Sequence, residues 1–160
     1  DERLQMQELG RFQVNIPDSD VEQEVAGIAQ SNNSSAEALY ALGQVAASRG
    51  DHDEAVRLFE TLLAERPDIV KAWARLATSQ QALGALPQAA GALCEVIERE
   101  PPDAGVYDQL GRVLLALGLF DLAAASFGVA REMNPDHPGI EASLTQALRR
   151  RREEPPTEPA

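Results

Sequence analysis

Residues 73–101 read WARLATSQQALGALPQAAGALCEVIEREP, and within them Gly84, Ala89 and Pro101 each recur 34 residues before and after. The matching columns are Gly50, Gly84, Gly118; Ala55, Ala89, Ala123; and Pro67, Pro101, Pro135. Working outward, Leu42, Leu76, Leu110 share the period, as do Gly43, Ala77, Gly111 and Phe59, Leu93, Phe127. An aromatic-leaning column holds Leu39, Trp73 and Tyr107. Seven columns over three copies establish a structural repeat. In the first copy Leu39, Leu42 and Ala46 stand at i, i+3 and i+7, one face of a helix. After Gly50, the residues Ala55, Phe59 and Leu62 make a second such face. Gly50 falls where a helix C-terminus takes a positive φ. Asp51 or Asp53 can then cap the next helix. Pro67 lacks an N–H and restricts Arg66, so it ends the second helix. Small residues in the Gly43 and Ala55 columns let two helices approach closely. The unit is an antiparallel helix pair of 34 residues, stacked three times.

These columns resemble the tetratricopeptide repeat family. The stretches that carry the resemblance are Leu39-x2-Leu42-Gly43-x2-Ala46, Trp73-x2-Leu76-Ala77 and Tyr107-x2-Leu110-Gly111, each followed by the Gly, Ala, Phe or Leu, and Pro columns. It covers residues 36–137, with copies at 36–69, 70–103 and 104–137. The resemblance implies an all-α fold, a right-handed superhelix (α-solenoid) of three repeats with a C-terminal capping helix. Two positions depart from the pattern: Gln80 stands where the family prefers a large aromatic, and Pro87 lies in the second copy's turn. Pro87 suits the first turn of a helix. Leu144 and Leu148 lie 34 beyond Leu110 and Leu114, which predicts a capping helix over 138–150. Upstream, Val21, Val25 and Ile28 precede Ala55, Phe59 and Leu62 by the same interval, while Glu8, Ile16 and Asn33 break the match. Residues 1–35 therefore read as a degenerate helical segment. Residues 151–160, rich in Pro and Glu, read as a disordered tail.

Composition narrows the function classes. The net charge is −12, with 14 Lys plus Arg against 26 Asp plus Glu, which argues against a binder of nucleic-acid phosphates. Aromatics at 4% argue against a base-stacking platform. A single Cys excludes an intrachain disulfide framework. No apolar run reaches the roughly 20 residues of a membrane span, and no signal-peptide pattern is present. A soluble protein, cytoplasmic or periplasmic, is expected. The chain starts at Asp1 without Met, which predicts a processed product or an excised fragment. Arg outnumbers Lys thirteen to one and Ala is abundant, the mark of a GC-rich and bacterial coding sequence.

Isolated chemical motifs are explained by the repeat. Asp51-His52-Asp53-Glu54 has metal-binding residue types, but the acids sit where a helix N-terminus wants negative charge. His137 lies in a linker. No Ser, Cys or Asp has a context that activates it as a nucleophile. No glycine-rich phosphate loop exists. Cys94 shares a column with Glu60 and Gly128 and is expected to face solvent. Arg149–Arg152 complement a helix C-terminus. Trp73, the largest side chain in the packing columns, is expected in the core. No enzyme activity, metal or cofactor is expected.

The concave groove is the expected binding surface, since the first helix of each pair lines it. The resemblance places Glu37, Tyr40 and Gln44 there, then Lys71, Arg75, Thr78 and Gln81, then Asp108, Gln109, Arg112 and Leu115, with Arg149 on the cap. The partner-binding set is Tyr40, Gln44, Lys71, Arg75, Thr78, Asp108, Gln109 and Arg112. Some family members clamp a terminal carboxylate with Lys, Asn and Arg. The matching positions here hold Tyr40, Gln44, Arg75, Gly105 and Gln109, which argues against a chaperone-tail adaptor. Residues 1–35 hold seven acids against two bases and 36–69 seven against three, whereas 138–160 hold four of each. The groove cations thus face a partner with acidic or C-terminal segments. The expected function is a non-catalytic scaffold holding a partner peptide or helix, in assembly of a bacterial protein complex. The alternatives are a regulatory or substrate-recruiting domain of a larger enzyme, and self-assembly through open array ends.

Overall fold

The computed structural model describes residues 35–154 and, apart from them, Gln23. Among the described residues there are seven α-helices and no strand: α1 Ser35–Ser48, α2 His52–Glu65, α3 Val70–Ala82, α4 Leu86–Arg99, α5 Ala104–Ala116, α6 Phe120–Met133 and α7 Ile140–Glu153. The expected helical segment 1–35 lies outside the described residues except for Gln23 and Ser35, as do tail residues 155–160. No described helix is long and apolar enough to cross a membrane.

Helices α1 and α2, α3 and α4, and α5 and α6 pack most extensively on each other. Each pair is joined by a three-residue turn whose glycine carries the positive φ: Gly50 at 81°, Gly84 at 73° and Gly118 at 76°. The turns share one bonding scheme. The glycine N–H donates three residues back and the next N–H five back, as in Gly84 to Gln81 at 3.0 Å and Ala85 to Gln80 at 2.8 Å. This satisfies the carbonyls a helix end leaves free. Entry to the next helix varies. Asp51 accepts from the Glu54 N–H at 3.2 Å and Asp103 from the Val106 N–H at 3.0 Å. Pro87 sits in the first turn of α4.

The core runs between helices as one cluster. Phe59, Phe127, Leu62 and Leu93 are fully enclosed. A Cβ on Gly43 would stand 2.7 Å from Phe59 Cε1, and one on Gly111 would stand 2.6 Å from Phe127 Cε1. The two phenylalanines therefore require glycine opposite them. In the middle pair Ala77 faces a helix that carries the smaller Leu93. Trp73 departs from expectation. It is only half-buried, and its Nε1 donates to the Pro67 carbonyl at 2.9 Å, with the Arg99 guanidinium 5.2 Å from the ring centre. The polar indole edge keeps it at the margin of the core.

The cap also differs from the expected 138–150. It begins at Ile140 and continues through Arg151, Arg152 and Glu153, so these residues are helical rather than part of the tail. Ile140, Leu144 and Ala147 form its buried face. Arg151 pairs with Asp121 of α6 at 2.6 Å, and the Arg150 guanidinium lies 5.5 Å from the Phe120 ring centre. These contacts extend the helix by tying its basic end to α6.

Helices α1 and α3 touch, and so do α5 and α7. The second helices of successive pairs make no comparable contact. The odd-numbered helices thus line the inner side and α2, α4 and α6 the outer.

Candidate functional site

The inner face is built from α1, α3, α5 and α7, whose periodic packing residues leave the intervening side chains exposed. At the first joint, Lys71 of α3 places its Nζ 4.7 Å from the centre of the Tyr40 ring on α1. Gln44 Nε2 donates to the Tyr40 hydroxyl at 3.3 Å, and the Tyr40 ring stands 5.9 Å from that of Phe59. The Tyr40 ring is thus fixed from three sides, with a cation on its face. One turn further along α3, Arg75 is exposed and has no ion pair among the described residues.

At the second joint, Gln109 of α5 reaches across to α3, donating to Gln81 Oε1 and to Thr78 Oγ1, the latter at 3.4 Å. Thr78 in turn donates to the Ala74 carbonyl at 3.1 Å. The result is a polar amide seam between two helices.

At the third joint the groove opens to about 890 Å³ between α5 and α7, with Arg112, Leu115, Thr145, Gln146 and Arg149 on its walls. Thr145 and Gln146 were absent from the sequence-based set. The signal was available: Gln44, Thr78, Arg112 and Gln146 form one column of period 34.

Asp108 is corrected. Expected on the groove surface, it is 8% exposed and committed to internal partners. Its Oδ2 accepts from Arg112 Nε at 2.9 Å and lies 3.5 Å from His137 Nε2, while Oδ1 is buried without a partner. Its column holds Tyr40 and Ala74, which are also partly covered, so this flank packs against neighbours. A carboxylate enclosed there needs cationic partners. Arg112 consequently has a double duty, at the groove and at Asp108. The remaining members, Tyr40, Gln44, Lys71, Arg75, Thr78, Gln109 and Arg112, lie on α1, α3 and α5.

Other candidates are assigned locally. Asp51 serves as a helix cap, and among the described residues no group of His, Cys, Asp and Glu is arranged to hold a metal. Cys94 is exposed, as its column implied. Partial burial, then the carboxylates of Glu98 and Glu95, push its thiol above the ordinary range. Arg149 bonds Glu153 at 3.1 Å.

The sequence profile of the tetratricopeptide repeat family matches residues 26–68 and 40–105. The chain belongs to the tetratricopeptide repeat family. Human tetratricopeptide repeat protein 7B is 35% identical over 102 residues, 64% of this chain and 12% of that protein. The chain therefore spans about an eighth of the length of this curated relative. Among solved structures, the first repeat domain of Spaghetti (RPAP3) bound to the HSP90 peptide SRMEEVD superposes with a TM-score of 0.67 at 16% identity, covering 74% of this chain and 94% of that one. The Yersinia enterocolitica type III secretion chaperone SycD, in complex with a peptide of the translocator YopD, gives 0.67 at 16% identity over 75% and 97%. At such identities the shared property is the fold.

Proposed function

We propose that this chain is a non-catalytic interaction scaffold that holds an acidic, extended partner segment along α1, α3, α5 and α7. The observation that carries the proposal is the pair Lys71 and Arg75. On a chain of net charge −12, both project from the inner side of α3 with no carboxylate partner among the described residues. Unneutralised cations on an acidic molecule are a local attractor for negative charge. Gln109, Gln81 and Thr78 supply donors and acceptors for a peptide backbone, and Arg112 and Arg149, each held by a carboxylate, line the next stretch of the groove. The peptide complexes of the SycD and RPAP3 neighbours support peptide capture. The Arg-rich, Lys-poor composition supports a bacterial source, and the bound peptide of the SycD neighbour supports a role in assembling a protein complex there. The span of only 12% of its human relative supports a second reading, a recruiting module within a longer protein, an enzyme included.

The test is titration with a synthetic Glu-rich heptapeptide. Affinity should fall as salt rises, because exposed charges are screened over about 8–10 Å near physiological ionic strength. Lys71→Glu with Arg75→Glu should weaken binding by about tenfold or more, as a loss of about 1.4 kcal/mol does. These two are cleaner than Arg112, whose reversal also strips Asp108 of its partner. Undiminished affinity in the double reversal, or indifference to salt, overturns the proposal.

A further inference from the structure

On the outer side, α2 and α4 stand apart over α3, leaving an open hollow of about 450 Å³. Leu63 of α2, Leu76 of α3 and Ala92 of α4 give it an aliphatic lining, and the half-buried Trp73 borders it. Its origin is legible in the repeat. Gln80 stands in the column of Ala46 and Leu114, where the family resemblance calls for a large aromatic, so the ring that would fill this space is missing.

Two features set the hollow apart from a packing fault. Gln80 is 5% exposed and lines it, yet its Oε1 is buried without a partner. An enclosed amide lacking partners is costly and is normally avoided. Gly91 also lines the hollow, mid-helix in α4. A Cβ there would meet no atom within 4 Å, so no close contact demands glycine at a position where alanine is the better helix former. Both residues keep a space open and leave a polar group in it. At the rim stand Glu95, paired with Arg99, and Glu60, which has no ion pair among the described residues.

We infer that this outer hollow is a second docking slot, and that it takes a tyrosine side chain from a partner helix with basic flanks. The aliphatic lining and missing ring call for an aromatic body. The unpaired amide calls for a polar tip. A phenolic hydroxyl donates, so it satisfies the buried Gln80 Oε1. The unneutralised Glu60 carboxylate favours Lys or Arg beside the tyrosine. The slot is separate from the inner groove, and its case does not depend on what that groove binds.

The probe is an alanine-based, lysine-flanked helical peptide with a single central tyrosine, compared with its phenylalanine twin by NMR titration of the whole chain. The tyrosine peptide should shift the amides of Leu63, Gln88 and Gly91 and the Gln80 side chain. It should bind about three- to tenfold more tightly than the phenylalanine peptide, the worth of one hydrogen bond. Gln80→Leu should raise thermal stability while erasing the tyrosine preference. Gly91→Leu should block both peptides but leave binding of the Glu-rich heptapeptide at Lys71 and Arg75 unchanged. Equal affinity of the two peptides for the wild type, shifts confined to the inner face, or undiminished binding to Gly91→Leu overturns the inference. So does sedimentation showing a dimer that Gly91→Leu dissolves, since the occupant would then be a second copy.

Discussion

Phe59 and Phe127 reach full burial because the residue opposite each has no side chain, and that dependence can be tested at single atoms. Gly111→Ala places a methyl 2.6 Å from Phe127 Cε1. Overpacking typically costs about 1–3 kcal/mol, against up to about 1 kcal/mol gained from helix propensity. The variant should unfold at lower urea. Adding Phe127→Leu recreates the Ala77 and Leu93 combination, and the double variant should be more stable than the sum of its parts by about 0.5–3 kcal/mol in a double-mutant cycle. Both columns are visible in the sequence, and so is the coincidence of glycine with phenylalanine. Asp108 was not legible, because periodicity says which positions share an environment but not which flank is covered. Its counterparts in the repeat column, Tyr40 and Ala74, tolerate either setting. Cys94 carries a kinetic prediction. Its raised thiol leaves less thiolate at neutral pH, so iodoacetamide should react more slowly than with a free cysteine. The rate should climb until the pH passes the ordinary thiol range. Glu98→Gln should recover part of the difference, because burial is the larger cause.

At the scale of elements, α7 shows how a helix with little apolar surface is held. Ile140, Leu144 and Ala147 are its buried residues, while most of its remaining positions are exposed. Ile140 is 1% exposed, so Ile140→Ala should cost about 2–5 kcal/mol, read as a drop in the urea midpoint. Arg151→Ala should cost about 1 kcal/mol or less, since its pair with Asp121 is exposed on both sides. The difference separates apolar docking from surface charge as the anchor. The existence of this helix followed from Leu144 in the repeat column. Its end did not, because the run of arginines resembles a solvated tail until Phe120 and Asp121 are placed beside it. Helix starts were similarly half-legible. Asp51 and Asp103 announce themselves as caps, whereas α3, α4 and α6 begin after Ile69, Ala85 and Leu119 without side-chain caps and depend on packing.

For the whole molecule, the repeat made the architecture the most legible level, because stacked identical units depend on columns rather than on any one residue. Less legible was the groove wall on α7, where Thr145 and Gln146 belong to an incomplete copy and only the column of Gln44, Thr78 and Arg112 points to Gln146. Charge is also graded along the array, with acids in excess at 36–69 and balanced at 138–160. An acidic ligand should therefore lie with its most negative end toward Arg112 and Arg149. A spin label on that end of the Glu-rich heptapeptide should broaden amides of α7 and spare those of α1. Broadening of α1 instead would reverse the orientation.

The three-residue turns and the separation of α2, α4 and α6 have a mechanical consequence. Successive pairs are joined chiefly by the outer helix of one against the inner helix of the next, α2 on α3, α4 on α5 and α6 on α7, while the outer helices do not brace one another, so the array bends as a spring. Each joint is a local interface, and among the described residues no extensive contact ties distant pairs together. Tension applied at the ends is passed from pair to pair, and the chain yields at its weakest joint while the remainder keeps its shape. A partner lying along the inside bridges several joints at once and stiffens them together. Occupancy of the groove would thus be felt as a change in the compliance of the whole rod.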